Sequence, residues 1–388
     1  MHVPAKATHR QTRQHNSRLV LRTLYDFGPV SRAEVARLTG LTRTTVSDVV
    51  SGLIGTGMAR EVGRGPSSGG KAPILLSVVD DARHVIGLDL GEGAFVGALV
   101  NLRGEVRRRV ELPIDGHDGD EALALLYRLV DELLEDAGSS LLGIGVGTPG
   151  VIDTTTGIIR WAVNLDWQDL PLGGLLEERY AVPVNIANDS QAAALAEYTF
   201  GGDASRRPNL VAIKVGRGIG AGIVLNGALY QGDGFGAGEI GHVVVEDDGA
   251  RCRCGRFGCL ETVASGPAIV AHARALGLDA HTIDDVRAAL HAGDEAATSA
   301  ARLAGRYLGR AVAGLVGALD IHEIVVHGPV AALGEPWLDA IRDEATRRSL
   351  PLLADQIEVR PARIEANEVV LGASALLMTR ELGLSLVR

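Results

Sequence analysis

The sequence predicts an α/β protein with a small helical module at its N-terminus and a larger body of two similar lobes. Three observations lead to this prediction: a basic N-terminal segment with helix signals, a strand–turn–strand pattern that occurs twice, and a cluster of cysteines with histidine and glutamates nearby. The chain has 388 residues, of which 46% are hydrophobic, enough for two or three globular domains. We expect domains at residues 1–78 and 79–388. Within the second domain we expect one lobe at about 83–190 plus the C-terminal helix, and another at about 191–370.

Charge is distributed unevenly along the chain, although its formal net value is −10. Residues 1–76 contain 11 Lys and Arg against 4 Asp and Glu, a net charge of +7, so the remainder carries −17. A basic head on an acidic body indicates that only the head binds a polyanion. The alternative is an ordinary solvated surface, which charge by itself does not exclude.

Helix signals begin within the basic segment. Apolar residues recur at helical spacing over residues 16–27, and Gly28-Pro29 ends that helix. Ser31 is a candidate N-cap, and Glu34 three residues later completes a capping-box pattern. The pattern therefore predicts a short second helix over Arg32–Thr39.

A third helix follows a tight turn at Gly40. Thr42 is its candidate N-cap, and apolar residues predict the helix over residues 43–54. Two candidate strands, 59–62 and 74–76, flank a glycine-rich basic tip. Helix, glycine turn, helix and a basic hairpin together predict a winged helix-turn-helix.

This module predicts a DNA-binding surface on the third helix and the wing. Arg pairs with guanine edges, and Thr and Ser contact phosphates or thymine methyl groups. The candidate contacts with double-stranded operator DNA are Ser31, Arg32, Thr42, Arg43, Thr44, Thr45, Ser47, Arg64 and Lys71. The alternative is a three-helix packing module without a nucleic-acid partner.

The body contains an internal repeat. Residues 85–101 and 210–226 each consist of an apolar strand, a Gly-x-Gly turn, a second apolar strand and an Asn. Such a repeat indicates a duplicated domain with two similar lobes. Glycine turns between strands bring backbone N–H groups close to phosphates, and ligands of such folds bind in clefts.

The three cysteines of the chain are Cys252, Cys254 and Cys259. With His242 they offer four soft or borderline ligands, which suit one closed, tetrahedral, structural zinc ion per chain. Gly255 and Gly258 allow the loop to fold back on itself. The alternatives are three reduced thiols without metal and, less favoured, a catalytic zinc.

The order of motifs around these cysteines resembles the repressor, open reading frame, kinase (ROK) family. Residues 238–242 read G-E-I-G-H, and residues 252–261 read C-R-C-G-R-F-G-C-L-E. The resemblance covers nearly the whole chain and implies an actin-like, two-lobed, sugar-kinase-type domain. The head resembles the winged helix-turn-helix that repressors of this family carry and its plain kinases lack.

The resemblance also implies a sugar site. The positions that match sugar-binding positions of the family are Asn164, Asn188, Asp189, Glu239, His242 and Glu261. If His242 binds zinc through one ring nitrogen, its other nitrogen is left for a sugar hydroxyl. In the kinases the residue at Asp189 is the general base, so here it is a vestigial or residual base. Taken alone, Asp189 could be a helix N-cap and Asn164 a turn residue.

The turns that hold ATP in active kinases differ here. Residues 89–93 read D-L-G-E-G where kinases resemble D-x-G-G-T, residues 216–218 read G-R-G where they resemble G-T-G, and residues 327–329 read H-G-P where a Gly-Gly pair is usual. Glu92 places a carboxylate where phosphate oxygens should lie, and it could instead pair with Arg217. Pro329 removes one backbone donor. The pattern favours sugar binding without efficient phosphorylation.

We therefore expect a sugar-responsive transcriptional regulator, most simply a repressor of carbohydrate metabolism genes. The alternatives are an active ATP-dependent sugar kinase with a DNA-binding head, and a scaffold that binds neither sugar nor DNA. The chain has no run of 18 apolar residues and a polar, basic start, so we expect a cytoplasmic protein without a membrane span. A homodimer or homotetramer is expected, with helices near 298–319 and 336–350 as candidate contact surfaces; the alternative is that their apolar faces belong only to the core.

Overall fold

The computed structural model describes residues 8–66, 72–91, 93–202, 208–364 and 366–384. Contacts divide the chain into two compact units. The first comprises residues 1–146, 173–185 and 373–388, and the second comprises 147–172 and 186–372. The domain and lobe bounds given above stay predictions.

The first unit begins with the predicted helical head. Its helices are α1 (His9–Phe27), α2 (Arg32–Thr39) and α3 (Arg43–Gly55), and its strands are β1 (Val30–Ser31), β2 (Ala59–Arg64) and β3 (Ile74–Val78). The strands form a sheet of order β1-β3-β2, with β2 and β3 antiparallel as a wing requires. Helix α1 starts seven residues before the predicted start, because Thr8 and Gln11 form a capping box that apolar periodicity does not reveal.

The caps of α2 and α3 follow the prediction in part. The Ser31 hydroxyl accepts from the Glu34 N–H at 3.2 Å, and the Thr42 hydroxyl accepts from the Thr45 N–H at 3.2 Å. The predicted reciprocal bond from Glu34 to Ser31 is wrong. The Glu34 carboxylate instead binds Arg37 one turn later, at 2.6 Å, because an Arg at i+3 offers it a charged donor.

The rest of the first unit is built on a five-stranded sheet of order β11-β7-β4-β5-β6. Its strands are β4 (His84–Leu90), β5 (Ala94–Asn101), β6 (Val106–Pro113), β7 (Leu141–Thr148) and β11 (Val184–Asn188). Helices α4 (Gly119–Ala137) and α5 (Leu172–Tyr180) lie between β6 and β11 in the sequence. A Cβ at Gly97 would come 2.6 Å from Leu133 of α4, so only glycine lets this helix pack so closely on β5.

The second unit contains a three-stranded and a five-stranded sheet of orders β10-β9-β8 and β14-β13-β12-β15-β16. Its strands are β8 (Val151–Asp153), β9 (Ile158–Ala162), β10 (Trp167–Leu170), β12 (Leu210–Val215), β13 (Ile219–Leu225), β14 (Ala228–Tyr230), β15 (Glu323–His327) and β16 (Glu358–Pro361). Its helices are α6 (Asp189–Phe200), α7 (Glu261–Ala264), α8 (Gly266–Ala275), α9 (Ile283–His291), α10 (Glu295–Leu319), α11 (Glu335–Arg348) and α12 (Pro351–Ala354). Helix α13 (Glu368–Leu382) crosses from the second unit into the first.

The internal repeat is visible as two antiparallel hairpins, β4–β5 and β12–β13, one in each five-stranded sheet. In the second hairpin the Gly216 N–H donates to the Gly218 carbonyl at 2.9 Å and closes the turn. The two hairpins therefore agree with the duplication that the sequence predicts.

Helices α10 and α11, which contain the segments considered above as dimer surfaces, pack on each other within the second unit. A Cβ at Gly305 would come 2.6 Å from the Trp337 carbonyl oxygen, and one at Gly309 would come 2.7 Å from that of Ile341. The apolar residues of α10 belong to the core cluster of this unit. Their periodicity thus reflects core packing and gives no support to a dimer surface.

None of the described helices combines the length and the hydropathy that crossing a membrane requires.

Candidate functional sites

The metal site predicted from the sequence is assembled in the second unit. The ligand atoms of His242, Cys252, Cys254 and Cys259 all lie within 4.8 Å of one another. The Cys254 and Cys259 sulfurs are 3.7 Å apart, and the Cys252 sulfur is 3.5 Å from His242 Nδ1. Tetrahedral zinc with Zn–S bonds of about 2.3 Å places two sulfurs about 3.8 Å apart. The donor set and its spacing therefore fit a zinc ion.

Two glycines shape the loop that carries the cysteines. Gly255 and Gly258 have φ of +89° and +71°, a left-handed region that favours glycine. A Cβ at Gly258 would overlap the carbonyl oxygen of Glu246. This close approach brings Cys259, which is fully buried, next to the other two thiols. Burial raises the pKa of the Cys259 thiol to about 12, so a metal ion has to displace its proton.

His242 lies between the cysteines and the glutamates. Its Nδ1 faces Cys252, and its Nε2 is 3.9 Å from Glu239 Oε2. One ring nitrogen of His242 thus lies toward the cysteines and the other toward Glu239; its assignment to the sugar site stays a prediction. Partial burial raises the pKa of the Glu239 carboxyl; the charge of His242 acts against this, while those of Asp189 and Glu261 add to it.

Glu261 and Asn164 are joined by an arginine that the sequence reasoning did not select. Arg253 donates to Asn164 Oδ1 at 3.0 Å, and its guanidinium lies 3.3 Å from Glu261 Oε1. Glu261 is buried, and its second oxygen accepts from the Ile219 N–H at 3.4 Å. Arg253 lies between the candidate metal ligands Cys252 and Cys254, so the cysteine loop is directly connected to these two candidate sugar residues.

The Asn188-Asp189 pair lies at the start of α6. Asn188, and not Asp189, is the N-cap: its side-chain oxygen accepts from the Ser190 and Gln191 N–H groups, and its amide donates to the Gly150 carbonyl at 3.0 Å. The N-cap interpretation of Asp189 is thus wrong. Asp189 lies in the first turn of α6, with its carboxylate 2.8 Å from the Lys214 ammonium.

Lys214 and His327 lie beside this pair; the sequence reasoning did not select Lys214, and it considered His327 only as part of the altered turn 327–329. They occupy paired positions on the neighbouring parallel strands β12 and β15. Lys214 is the one charged residue in the apolar strand Leu210–Val215, a signal that could have found it. Such a charge in a buried strand needs a partner.

The altered nucleotide turns of the second unit lie side by side. A Cβ at Gly216 would come 3.6 Å from Pro329 Cδ. Pro329 begins a short 3₁₀ helix over residues 329–333 after Gly328, whose φ is +90°. Glu92, and with it the hypothesis of a Glu92–Arg217 pair, lies outside the described residues.

The candidate DNA contacts lie on the head. Thr42, Arg43, Thr44 and Ser47 are exposed at the start of α3, and Arg64 is exposed at the end of β2. Thr45 and Ser31 are half-buried. Arg32 is engaged with Glu61 of the wing at 3.2 Å, and Lys71 lies outside the described residues.

The fold and the site together define a sugar-kinase-like α/β body that carries a winged helical head. The chain belongs to the ROK family, whose sequence profile matches residues 85–380. It is 31% identical to a xylose repressor of Caldicellulosiruptor bescii, over 96% of this chain and 97% of that protein. It is 37% identical to a glucokinase of Halalkalibacterium halodurans, over 77% of this chain and 96% of the enzyme. A crystal structure described as a ROK family transcriptional regulator, homologous to Escherichia coli MLC protein, superposes with a TM-score of 0.85 at 28% identity, covering 97% of this chain and 98% of that one.

Proposed function

We propose that this protein is a sugar-responsive, DNA-binding transcriptional regulator, acting in the cytoplasm as a homodimer or homotetramer that represses genes of carbohydrate metabolism. One observation carries the proposal: the head. The glucokinase aligns with 77% of this chain, whereas the xylose repressor aligns with 96%. The head precedes the family match, which begins at residue 85, and it forms three helices and a two-stranded wing, with Arg43 exposed at the start of α3.

The head is physically tied to the rest of the first unit, which supports coupling between sugar and DNA. The Tyr25 hydroxyl of α1 donates to the Leu102 carbonyl at 2.8 Å, and the Arg103 guanidinium lies 4.0 Å from the centre of the Tyr25 ring. Arg18 donates to the carbonyl oxygens of Arg380 and Glu381 at 3.0 and 3.2 Å. A movement within the rest of the first unit can therefore reach the head through several contacts. Sugar shifts DNA affinity only if it binds the two states differently.

The sugar site in this proposal consists of Asn164, Asn188, Asp189, Glu239, His242 and Glu261. Carboxylate, amide and imidazole groups are suitable partners for hydroxyl groups. The zinc bound by His242, Cys252, Cys254 and Cys259 is structural, because four protein ligands leave no open position. Its role is to hold Arg253 and His242 in place, which lie against Glu261 and Glu239 respectively.

Binding without phosphorylation is the second part of the proposal. Arg217 stands where kinases of the family carry a small Thr, and Pro329 removes a backbone donor beside it. Asp189 is bound to Lys214 at 2.8 Å. These three features act against ATP binding and proton abstraction.

DNA binding is tested with the full-length protein. Duplexes enriched from a random-sequence library are titrated by fluorescence anisotropy at about 50 and about 200 mM salt, across which affinity should fall steeply. D-xylose, D-glucose and N-acetyl-D-glucosamine are then added as probes. At least one should change DNA affinity about fivefold or more. No enriched duplex, or no response to any sugar, would contradict the proposal.

Kinase activity is tested with the same sugars and ATP in a coupled assay. We expect turnover no higher than that of Asp189→Asn, which lacks the candidate base. Brisk phosphorylation by the wild type, abolished in Asp189→Asn, would favour the sugar kinase with a DNA-binding head.

A further inference from the structure

Three polar side chains from three elements meet at one end of the candidate sugar site. Lys214 and His327 are paired across β12 and β15, and residues paired in this way point to the same face of a sheet. On that face Lys214 Nζ lies 2.8 Å from Asp189 Oδ2 at the start of α6. The side chains of Lys214 and Asp189 are only 23% and 17% exposed, so water screens their attraction weakly.

His327 is the third member of this group. It is 5% exposed, and neither ring nitrogen has a hydrogen-bond partner among the described residues. The carboxylate of Glu368 is 3.9 Å from its Nδ1, too far for a hydrogen bond. Burial and the charge of Lys214 lower the pKa of His327 to about 3, so the imidazole is neutral at physiological pH. A buried imidazole without partners indicates that a hydroxyl group or water binds there.

The state of Asp189 follows from the groups that face it. Burial raises its pKa, but the charge and hydrogen bond of Lys214 and the hydrogen bonds of Ser190 outweigh burial and lower it overall. The titratable groups that face Asp189 are Lys214 on β12, His327 on β15, and Glu239, which directly precedes the short 3₁₀ turn at residues 240–242. A carboxylate held in this way is a weak base, whereas a general base needs a pKa near the working pH.

We infer that Lys214 is a positioning residue that fixes Asp189 as an ionised hydrogen-bond acceptor. This end of the site then binds a neutral sugar hydroxyl, with His327 as a second partner, and does not remove the proton of that hydroxyl. This inference rests on the proposed sugar binding, and it explains how the site binds a sugar without transferring a phosphoryl group to it. The candidate sugar site contains three carboxylates, and two cations are paired with them. The carboxylates are those of Asp189, Glu239 and Glu261, and the cations are Lys214 and Arg253. This balance favours an uncharged ligand over an anionic one.

The first test compares wild type, Lys214→Met and Lys214→Arg by calorimetry with D-xylose, D-glucose and N-acetyl-D-glucosamine at pH 8 and pH 5. Without the ammonium, the mostly buried carboxylate of Asp189 loses its cationic partner and keeps only the hydrogen bonds from Ser190, so it binds protons more readily. Between pH 8 and pH 5, the sugar affinity of Lys214→Met should therefore fall about tenfold more than that of the wild type. Lys214→Arg should restore the wild-type profile. A merely structural role would lower affinity equally at both pH values and overturn the inference.

The second test needs no sugar, so it separates failure of this inference from failure of the proposed function. The full chain is labelled with ¹³C at aspartate carboxyl carbons, and Asp189→Asn identifies the signal of Asp189. This signal should titrate at clearly higher pH in Lys214→Met than in wild type or Lys214→Arg. Equal titration in all three proteins would refute the role of Lys214, even if sugars bind. If Lys214→Met does not fold by circular dichroism, Lys214→Gln takes its place in both tests.

Discussion

Gly258 offers a sharp test of how the metal loop is built, because a single methyl group should disrupt it. In Gly258→Ala the new Cβ would overlap the Glu246 carbonyl oxygen, and the residue would keep a φ of +71°. The left-handed conformation alone costs a non-glycine residue about 1–2 kcal/mol. To relieve the overlap, the loop has to move away from Glu246.

That movement strains three backbone hydrogen bonds. The Gly258 N–H donates to Ala250 at 2.8 Å, and the Gly258 carbonyl accepts from Val245 at 2.8 Å and from Glu246 at 3.2 Å. Loss of two of them, at about 1 kcal/mol each, brings the total to about 3–4 kcal/mol. Since Cys259 is the next residue, the zinc site should be disturbed as well.

Gly255→Ala is the matched control. Its φ is also positive, at +89°, but a Cβ at this position meets no atom within 4 Å. It should cost only the conformational strain of about 1–2 kcal/mol and keep its metal. Chemical unfolding and metal analysis of the purified variants measure both effects. Equal stability and equal zinc content of the two variants would refute this account of the loop.

Three further predictions concern other parts of the chain. Cys254→Ser should lower the zinc content from about one ion per chain to near zero in metal analysis, because three ligands remain of four; full zinc content would contradict the proposed ligand set. Arg43→Ala should weaken binding to a selected duplex by about 1–3 kcal/mol in anisotropy titrations if Arg43 contacts a base edge. Arg109→Ala, which removes the same charge from β6 of the body, is its control, and equal losses would mean a charge effect only. Glu344 is contacted by Arg310, Arg347 and Arg348, and its pKa is lowered to about 2: burial raises it, but the three arginines lower it more. A lowered pKa stabilises the fold above the unfolded value of about 4.3, and this contribution is lost as pH falls toward 2. Glu344→Gln should therefore reduce the free energy of unfolding at pH 7 and converge with wild type near pH 2; a constant difference would point to packing instead.

Neighbouring residues in the sequence determined much of the head and the metal loop. The caps at Ser31 and Thr42, the bounds of α2 and the four candidate zinc ligands could all be predicted from the sequence. A cap depends on residues three positions apart, and three of the four ligands lie within eight residues of one another. Such signals need no knowledge of the tertiary structure.

Only the tertiary structure decided which charged groups share the candidate sugar site. Lys214 meets Asp189 because α6 begins beside β12, and His327 joins them because β15 pairs with β12 in parallel register. Arg253 connects Glu261 with Asn164, which lies 89 residues before Arg253 in the sequence. These partners are distant in sequence, and their proximity is set by strand register and helix packing, which short-range patterns do not encode. The residue types of the candidate site could thus be read from the sequence, whereas the Lys214–Asp189 pair, from which we infer a fixed acceptor in place of a base, could not.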